Sequence, residues 1–176
     1  MNRTALLILL FAAAALAHAA PRDLPTGAFS FEIDVVVPGQ PEAVYDATFG
    51  DVTGWWDHSM SGAPHAMYIE PKPGGAFMEI FDESGDGVRH AVVTYAKRGE
   101  MLRFEGPLGL AGHALHMVTT WTFEDADEGH TRIAVAVNAQ GEVHDRWPAV
   151  IEGTWRHFLV ERLLPYLQGG GVPLGD

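Results

Sequence analysis

The sequence near the C-terminus reads DRWPAVIEGTWRHFLVERLLPYL over residues 145–167. Apolar side chains recur there every three or four residues, which is the spacing of one face of an α-helix. Pro148 falls in the first turn, where proline is tolerated because that N–H has no partner within the helix. The pattern predicts one long amphipathic helix, whose wide and largely apolar face is formed by Trp147, Val150, Ile151, Thr154, Trp155, Phe158, Leu159, Arg162 and Leu163.

Upstream of this helix the hydrophobic period changes to two. Residues 29–37 alternate between apolar and polar, which predicts a half-buried strand. Pro38-Gly39 ends that strand, and Pro41 begins a helix that runs to about residue 49. We interpret Trp55-Trp56 as lying on a second short helical turn. Over residues 66–140 the alternation is interrupted by turns at close intervals, which predicts a meander of six antiparallel strands.

These elements predict an α+β fold, with a curved antiparallel sheet of about seven strands, two short helices and a long C-terminal helix packed across the sheet. A single helix does not cover a strongly curved sheet completely, so we expect a cavity between the two. The predicted domain covers residues 29–168. A flexible leader at residues 20–28 precedes it, and a disordered tail at residues 169–176 follows it.

The first 19 residues have the three parts of a secretory signal peptide. Arg3 supplies the positive charge, residues 5–16 are apolar, and Ala17-His18-Ala19 is a small-x-small cleavage signal. The apolar run is shorter than the ~20 residues that a membrane-spanning helix needs, which disfavours the alternative of an uncleaved anchor. We therefore predict cleavage after Ala19, a periplasmic or secreted mature protein, and no stable membrane insertion after cleavage.

The composition excludes several classes of function. The formal net charge is −12, and it becomes −13 after cleavage because Arg3 is the only charged residue removed. Such a protein repels phosphate groups, so we expect no nucleic-acid partner. The absence of cysteine excludes disulfides, thiolate metal sites and a cysteine nucleophile. The nine histidines include no helical i, i+4 pair with the glutamate that a zincin-type site needs, and we predict no metal site and no cofactor.

Several motifs occur in an order and spacing that resemble a known superfamily. They are Pro41-Glu42-Ala43-Val44-Tyr45, Trp55-Trp56, Pro73-Gly74-Gly75-Ala76-Phe77, Glu100-Met101-Leu102-Arg103-Phe104, Trp121-Thr122-Phe123, Gly129-His130-Thr131-Arg132-Ile133 and Trp155. Over residues 29–167 the chain resembles the START-like (SRPBCC) superfamily, which has the helix-grip fold. Within it, the chain is similar to the branch of the activator of heat-shock-protein ATPase homologues and polyketide-cyclase-like proteins.

The resemblance implies an apolar cavity closed by the C-terminal helix, which the superfamily uses to hold lipids, polyketides and other hydrophobic small molecules. It does not fix one reaction. Trp55-Trp56 either lines the cavity or simply packs in the core, and because adjacent residues point in different directions only one of the two is expected to face inward. The candidate ligand-binding residues are Trp55, Trp56, Phe77, Glu79, Phe104, Met117, Trp121, Trp147, Ile151 and Trp155.

We assign no catalytic residue and keep Glu79 and His90 as candidates. Glu79 shares a strand face with Phe77, and burial there would raise the pKa of its carboxyl group and suit it to acid–base chemistry. We favour the other interpretation, that Glu79 is an edge-strand glutamate that reaches solvent. Nucleophilic catalysis is not supported because no Gly-x-Ser-x-Gly elbow is present, and Gly74-Gly75 joins two strands rather than opening a phosphate-binding helix.

Three functions of different classes follow from these observations. The first is an exported binding module that holds a hydrophobic small molecule, such as a lipid or polyketide-like compound. The second is a cyclase- or hydratase-type enzyme in which a cavity carboxylate or histidine moves protons. The third is a polypeptide-binding, co-chaperone-like protein, which export disfavours because the ATPase partner of that branch is cytosolic. The sequence leaves the oligomeric state open.

Overall fold

A computed structural model describes residues 21–127 and 129–171 of the chain. Eight antiparallel strands form one open sheet, in the order β1-β8-β7-β6-β5-β4-β3-β2. The strands are β1 (Thr26–Pro38), β2 (Gly50–Asp51), β3 (Ala66–Ile69), β4 (Ala76–Ile80), β5 (Gly87–Lys97), β6 (Met101–Glu105), β7 (Leu115–Ala126) and β8 (His130–Glu142). The predicted signal peptide and residues 172–176 of the predicted tail lie outside the described residues.

The C-terminal helix crosses the inner face of the sheet. It consists of α2 (Trp147–Arg156), a π-helical segment (His157–Leu163) and α3 (Leu164–Gln168), which follow one another without interruption. Trp155, Leu159 and Leu163 are fully or almost fully buried, as expected for the apolar face of an amphipathic helix. The predicted α+β helix-grip architecture is therefore confirmed. Within the described residues, no helix combines the length and apolar character needed to span a bilayer.

The first strand starts three residues earlier than the alternation predicted. Thr26, Gly27 and Ala28 pair with Glu142, Gly141 and Gln140 of β8, so part of the predicted leader belongs to the sheet. The pairing continues without a register shift to Pro38 and places Ile33, Val35 and Val37 on the buried face. This segment carries little apolar signal because its backbone, rather than its side chains, forms the contacts.

The region after the first helix differs from the prediction in two ways. The first helix, α1 (Pro41–Thr48), is followed by the two-residue strand β2, which pairs with Ile69 and Tyr68 of β3 and raises the number of strands from about seven to eight. Trp55 and Trp56 lie on a hydrogen-bonded turn, not on a second helix, because both backbone N–H groups donate to the carbonyl oxygen of Val52, at 3.1 and 2.8 Å. A short 3₁₀ turn at Leu108–Leu110, between β6 and β7, was not predicted.

The core between sheet and helices is rich in aromatic side chains. Phe49 packs edge-to-face against Trp121 and Phe123, and Trp121 packs in the same way against Trp55 and Trp155, with ring centroids 5.5 to 6.1 Å apart. Edge-to-face pairs at these separations stabilise a core beyond the area they bury. This aromatic cluster fills one part of the space under the helix and leaves the rest to a cavity.

Candidate functional site

A cavity of about 330 Å³ lies between the sheet, α2 and two loops. One loop is the 3₁₀ turn at Leu108–Leu110; the other covers residues 57–62 and is named here the cavity loop. This volume is at the lower end of the range of about 300–1,000 Å³ that small-molecule pockets occupy. The lining residues are Trp56, His58, Ser59, Met60, His90, Pro107, Leu108, Gly109, Leu110, Met117, Val150, Ile151, Thr154, Trp155 and Phe158.

Aromatic rings form one wall of the cavity. The ring of Trp56 stacks on that of Phe158, with centroids 3.9 Å apart and an interplanar angle of 20°. Trp155 packs edge-on against both. Such rigid surfaces bind apolar ligands with little loss of side-chain entropy. Met60 and Val150 are 50% and 61% exposed, which places these two apolar side chains at the mouth.

The 3₁₀ turn contributes a strained residue to the cavity wall. Leu108 has φ of 52° and is the one non-glycine residue with positive φ in the part of the chain that the structure describes. For a bulky side chain the left-handed region costs roughly 1–3 kcal/mol, so the surrounding packing must hold the turn. Leu108 is only 6% exposed, and the backbone N–H of Ala111 donates to its carbonyl oxygen at 3.2 Å. The position of this side chain in the cavity wall is therefore accompanied by backbone strain that lowers the stability of the fold.

A carboxylate and an imidazole form a buried pair, and the imidazole belongs to the cavity wall. Glu79 on β4 is completely buried, and its Oε2 lies 3.0 Å from Nε2 of His90 on β5, whose side chain is 6% exposed. The other donors to Glu79 come from the cavity loop. Ser61 donates through its backbone N–H and its hydroxyl, both at 2.8 Å, and the Met60 N–H donates at 2.9 Å. The prediction that Glu79 reaches solvent is therefore wrong.

Glu79 has four hydrogen-bond donors, and they decide its charge. Burial raises the pKa of the carboxyl group, but the hydrogen bonds from Met60, Ser61 and His90 together outweigh burial, so the pKa lies below its ordinary value of 4.5. The expectation of a raised pKa is wrong because the sequence does not show that the cavity loop folds onto this carboxylate. Glu79 is ionised at neutral pH and accepts hydrogen bonds only.

A β-bulge turns His90 toward the cavity. Phe77 pairs with Ala91 and Met78 pairs with Arg89, so His90 has no partner on β4 and is the extra residue of the bulge. As a result His90 and Ala91, although consecutive, are both buried. Bulges re-aim side chains in this way and occur near binding sites. Gly106 packs on the bulge so closely that a Cβ atom there would lie 2.3 Å from the His90 carbonyl oxygen.

A second charged network lies beside the cavity. Asp57 accepts hydrogen bonds from His58 at 2.8 Å and from His157 Nε2 at 2.8 Å, and the Arg162 Nε lies 3.2 Å from it. His157 Nδ1 contacts Glu161 at 2.9 Å, and these two carboxylates, Glu161 first, raise the pKa of the imidazole. The network joins the cavity loop to the π-helical segment.

Asp57, His58 and His157 also have the composition of a metal site, since one ligand atom from each lies within 4.8 Å of the others. The spacing of the histidines in the sequence predicts no metal site. The guanidinium of Arg162 already supplies positive charge beside the Asp57 carboxylate, with Nε 3.2 Å from Oδ2. These contacts account for the cluster as an ion-pair network, and we assign it no metal.

The structure divides the candidate ligand-binding residues into two groups. The residues in the cavity wall are Trp56, Met117, Ile151 and Trp155, together with the catalytic candidate His90. The others pack behind that wall or away from it. Trp55, Phe77, Phe104 and Trp121 are fully buried in the core, Glu79 lies behind His90, and Trp147 packs against His113 and His144. Of the adjacent tryptophans, Trp56 faces the cavity and Trp55 the core.

Several wall residues were not among the candidates. Thr154 and Phe158 share a helical row with Ile151, at spacings of three and four residues, and this periodicity is the signal that could have found them. The cavity loop and residues 107–110 give no such signal, because their positions depend on tertiary contacts rather than on a repeating pattern.

A wider concavity of about 700 Å³ lies on the outer face of the sheet, between β1 and the start of β7. Most of its lining residues are exposed and small or polar, including Gly27, Ala28, His116 and Gln140. A broad, open groove of this kind encloses little of a small ligand, whereas the cavity under α2 has apolar walls on several sides. The cavity under α2 is therefore the candidate site.

Comparison with known proteins gives the class of this fold. No model of a protein family matches the sequence, and no curated protein matches it. Solved structures do match. An HSP90 activator from Plasmodium falciparum superposes with a TM-score of 0.57 at 19% identity, over 82% of this chain and 97% of the activator. Ara h 8.0201 superposes with a TM-score of 0.55 at 18% identity, over 82% of this chain and 98% of that protein.

A third similar structure is DynU16, from the dynemicin biosynthetic locus, with a TM-score of 0.52 at 19% identity. The match covers 82% of this chain but only 48% of DynU16. Identities this low establish the fold alone. The chain has the helix-grip fold, as the sequence resemblance implied, and carries its cavity under the C-terminal helix.

Proposed function

We propose that this protein is an exported binding module that holds a hydrophobic small molecule in the cavity under α2. The observation that carries the proposal is the enclosure of about 330 Å³ by mainly apolar walls, with the aromatic rings of Trp56, Trp155 and Phe158 on one side. An apolar pocket with a small number of polar groups is the usual form of a small-molecule site. The START-like resemblance, in which such cavities hold hydrophobic compounds, supports the same function.

The test is to identify what the cavity contains. The protein is purified from its own host, measured by native mass spectrometry, and extracted with organic solvent for identification of released compounds. We expect an apolar compound in stoichiometric amount. Ile151→Trp places an indole in the cavity wall and should reduce occupancy at least tenfold. Gly153→Trp is the matched control, because a Cβ at residue 153 has no heavy atom within 4 Å and the residue is exposed.

Export is the second part of the proposal and rests on the signal-like residues 1–19. The full chain, expressed in its host, should be recovered outside the cytoplasm with Ala20 as its first residue. A cytoplasmic protein that retains Met1 would contradict export without affecting the binding proposal, because the cavity is formed by residues 56–158.

An acid–base enzyme is the second candidate, favoured by the buried pair of Glu79 and His90, whose imidazole lines the cavity. A carboxylate that orients an imidazole is a common arrangement for a general base. The discriminating measurement is to incubate the protein with more than one equivalent of the extracted compound. Conversion to a product of different mass or structure, abolished by His90→Phe, indicates an enzyme; recovery of unchanged compound indicates a carrier.

A further inference from the structure

One polar atom in the cavity wall is buried without a partner. His90 Nε2 is paired with Glu79, but His90 Nδ1 has no hydrogen-bond partner among the described residues. Other polar side chains of the wall are already engaged. The Thr154 hydroxyl donates to the Val150 carbonyl at 3.0 Å, and His58 Nδ1 is paired with Asp57 at 2.8 Å. A buried polar atom without a partner costs free energy, which a ligand can recover.

The hydrogen-bond network decides whether this nitrogen donates or accepts. The ionised carboxylate of Glu79 has no hydrogen to give, so His90 Nε2 must carry the hydrogen and donate it. In the neutral imidazole the other nitrogen then has a free lone pair. His90 belongs to the cavity wall, and in its neutral form Nδ1 is a hydrogen-bond acceptor, a tautomer that follows from the contact of Nε2 with Glu79.

We propose that the cavity selects apolar molecules that carry an acidic O–H group, such as a phenol, an enol or a carboxylic acid, and that His90 Nδ1 accepts the hydrogen of that group. This inference rests on the proposed function and adds the chemical class of the ligand. A hydrocarbon or an ester fills the cavity equally well but leaves the imidazole unpaired. An acidic O–H forms the strongest bond, because any positive charge that develops on His90 is balanced by Glu79.

The test compares two probes of similar shape, 2-naphthol and 2-methylnaphthalene. Calorimetry gives the affinity of each for the wild-type protein and for His90→Phe, and the ratio of the two affinities is formed within each protein. We expect this ratio to favour 2-naphthol about tenfold more in the wild type than in the variant, the effect of one buried hydrogen bond. A loss of stability in the variant affects both probes and leaves the ratio unchanged.

Two controls assign the effect to His90 Nδ1. His116→Phe removes an exposed imidazole on the outer face and should keep the wild-type ratio. In ¹⁵N spectra of the wild type, 2-naphthol should shift the Nδ1 resonance of His90, whereas 2-methylnaphthalene should not.

The outcomes separate this inference from the proposed function. If both probes bind and the ratio is the same in wild type and His90→Phe, hydroxyl recognition by His90 is wrong and the binding proposal stands. If neither probe binds up to its solubility limit, recognition of an aromatic O–H compound by His90 is overturned, and the binding proposal is decided separately by the compound extracted from the purified protein. A native ligand without an O–H group would also overturn the inference while supporting a binding module.

Discussion

Replacing Glu79 by glutamine tests whether one carboxylate supports both the cavity loop and His90. The substitution preserves shape but removes the charge and turns one acceptor oxygen into an NH₂ group. At present Oε1 accepts from the N–H and hydroxyl of Ser61, and Oε2 accepts from Met60 N–H and His90. In either orientation of the glutamine, the new NH₂ group faces a backbone N–H, so at least one hydrogen bond is replaced by a contact between two donors.

The expected loss of stability follows from these contacts. A hydrogen bond to a charged group contributes about 1.5–3 kcal/mol, and the bonds that survive become weaker neutral ones. We therefore expect Glu79→Gln to lower the free energy of unfolding by about 3 kcal/mol. Since small domains have about 5–15 kcal/mol of stability, the variant should still fold. The pKa of Glu79 is depressed, so its contribution is complete above the ordinary value of 4.5 and is lost as the pH falls through the folded-state value.

Urea denaturation followed by tryptophan fluorescence measures this difference. The gap between wild type and Glu79→Gln should be about 3 kcal/mol at pH 7 and should narrow as the pH falls below about 4.5. Glu152→Gln is the control, because Glu152 pairs with Arg156 on the surface at 3.6 Å and should cost under about 0.5 kcal/mol. A loss below about 1 kcal/mol for Glu79→Gln, or a gap independent of pH, would refute the assignment of Glu79 as an ionised anchor.

Three further predictions follow from other parts of the structure. Gly106→Ala should destabilise the protein by about 2–3 kcal/mol in the same urea assay, because its Cβ would lie 2.3 Å from the His90 carbonyl oxygen. Gly109→Ala is the control and should be nearly neutral, because a Cβ at residue 109 has no heavy atom within 4 Å. Hydrogen bonds from two histidines and a backbone N–H lower the pKa of Glu142 to about 2. The contribution of Glu142 to stability is therefore present above pH 4.5 and is lost as the pH falls toward 2. NMR titration of its carboxyl carbon should give that low pKa, and a value near 4.5 would contradict it. Because the pKa of His157 is raised, its contribution to stability is complete below about pH 6.5 and is lost as the pH rises through the folded-state pKa. The difference in unfolding free energy between wild type and His157→Gln should therefore shrink as the pH rises over that interval.

The fold was predictable because its signals are periodic. Alternation of apolar residues over 29–37 and 115–123 gives the long strands, and the three-to-four spacing after Pro148 gives the C-terminal helix. These patterns survive in a single sequence because each strand or helix must bury one face. The two-residue strand β2 and the turn at Trp55-Trp56 have no such period, since they are fixed by pairing with β3 and by hydrogen bonds to Val52.

The site was predictable only where it lies on a periodic element. Ile151 and Trp155 follow from the helix, and Met117 from strand alternation. His90 and Glu79 could be named as candidates but not given their roles. A bulge shifts the alternation by one residue and is invisible in the sequence, and the donors to Glu79 come from residues 18 and 19 positions away in the cavity loop. Charge state and orientation depend on these tertiary contacts.

The bulge and the carboxylate together explain how this cavity can discriminate between similar ligands. Apolar walls select ligands by their size and shape, and they distinguish a hydroxyl from a carbonyl at the same position only weakly. An imidazole with both nitrogens free can change tautomer and accept either group. Pairing Nε2 of a neutral His90 with the ionised Glu79 removes that freedom and leaves Nδ1 as an acceptor. The carboxylate has no contact with the cavity, yet it determines which polar group the cavity accepts, because it fixes the proton on the far side of the ring.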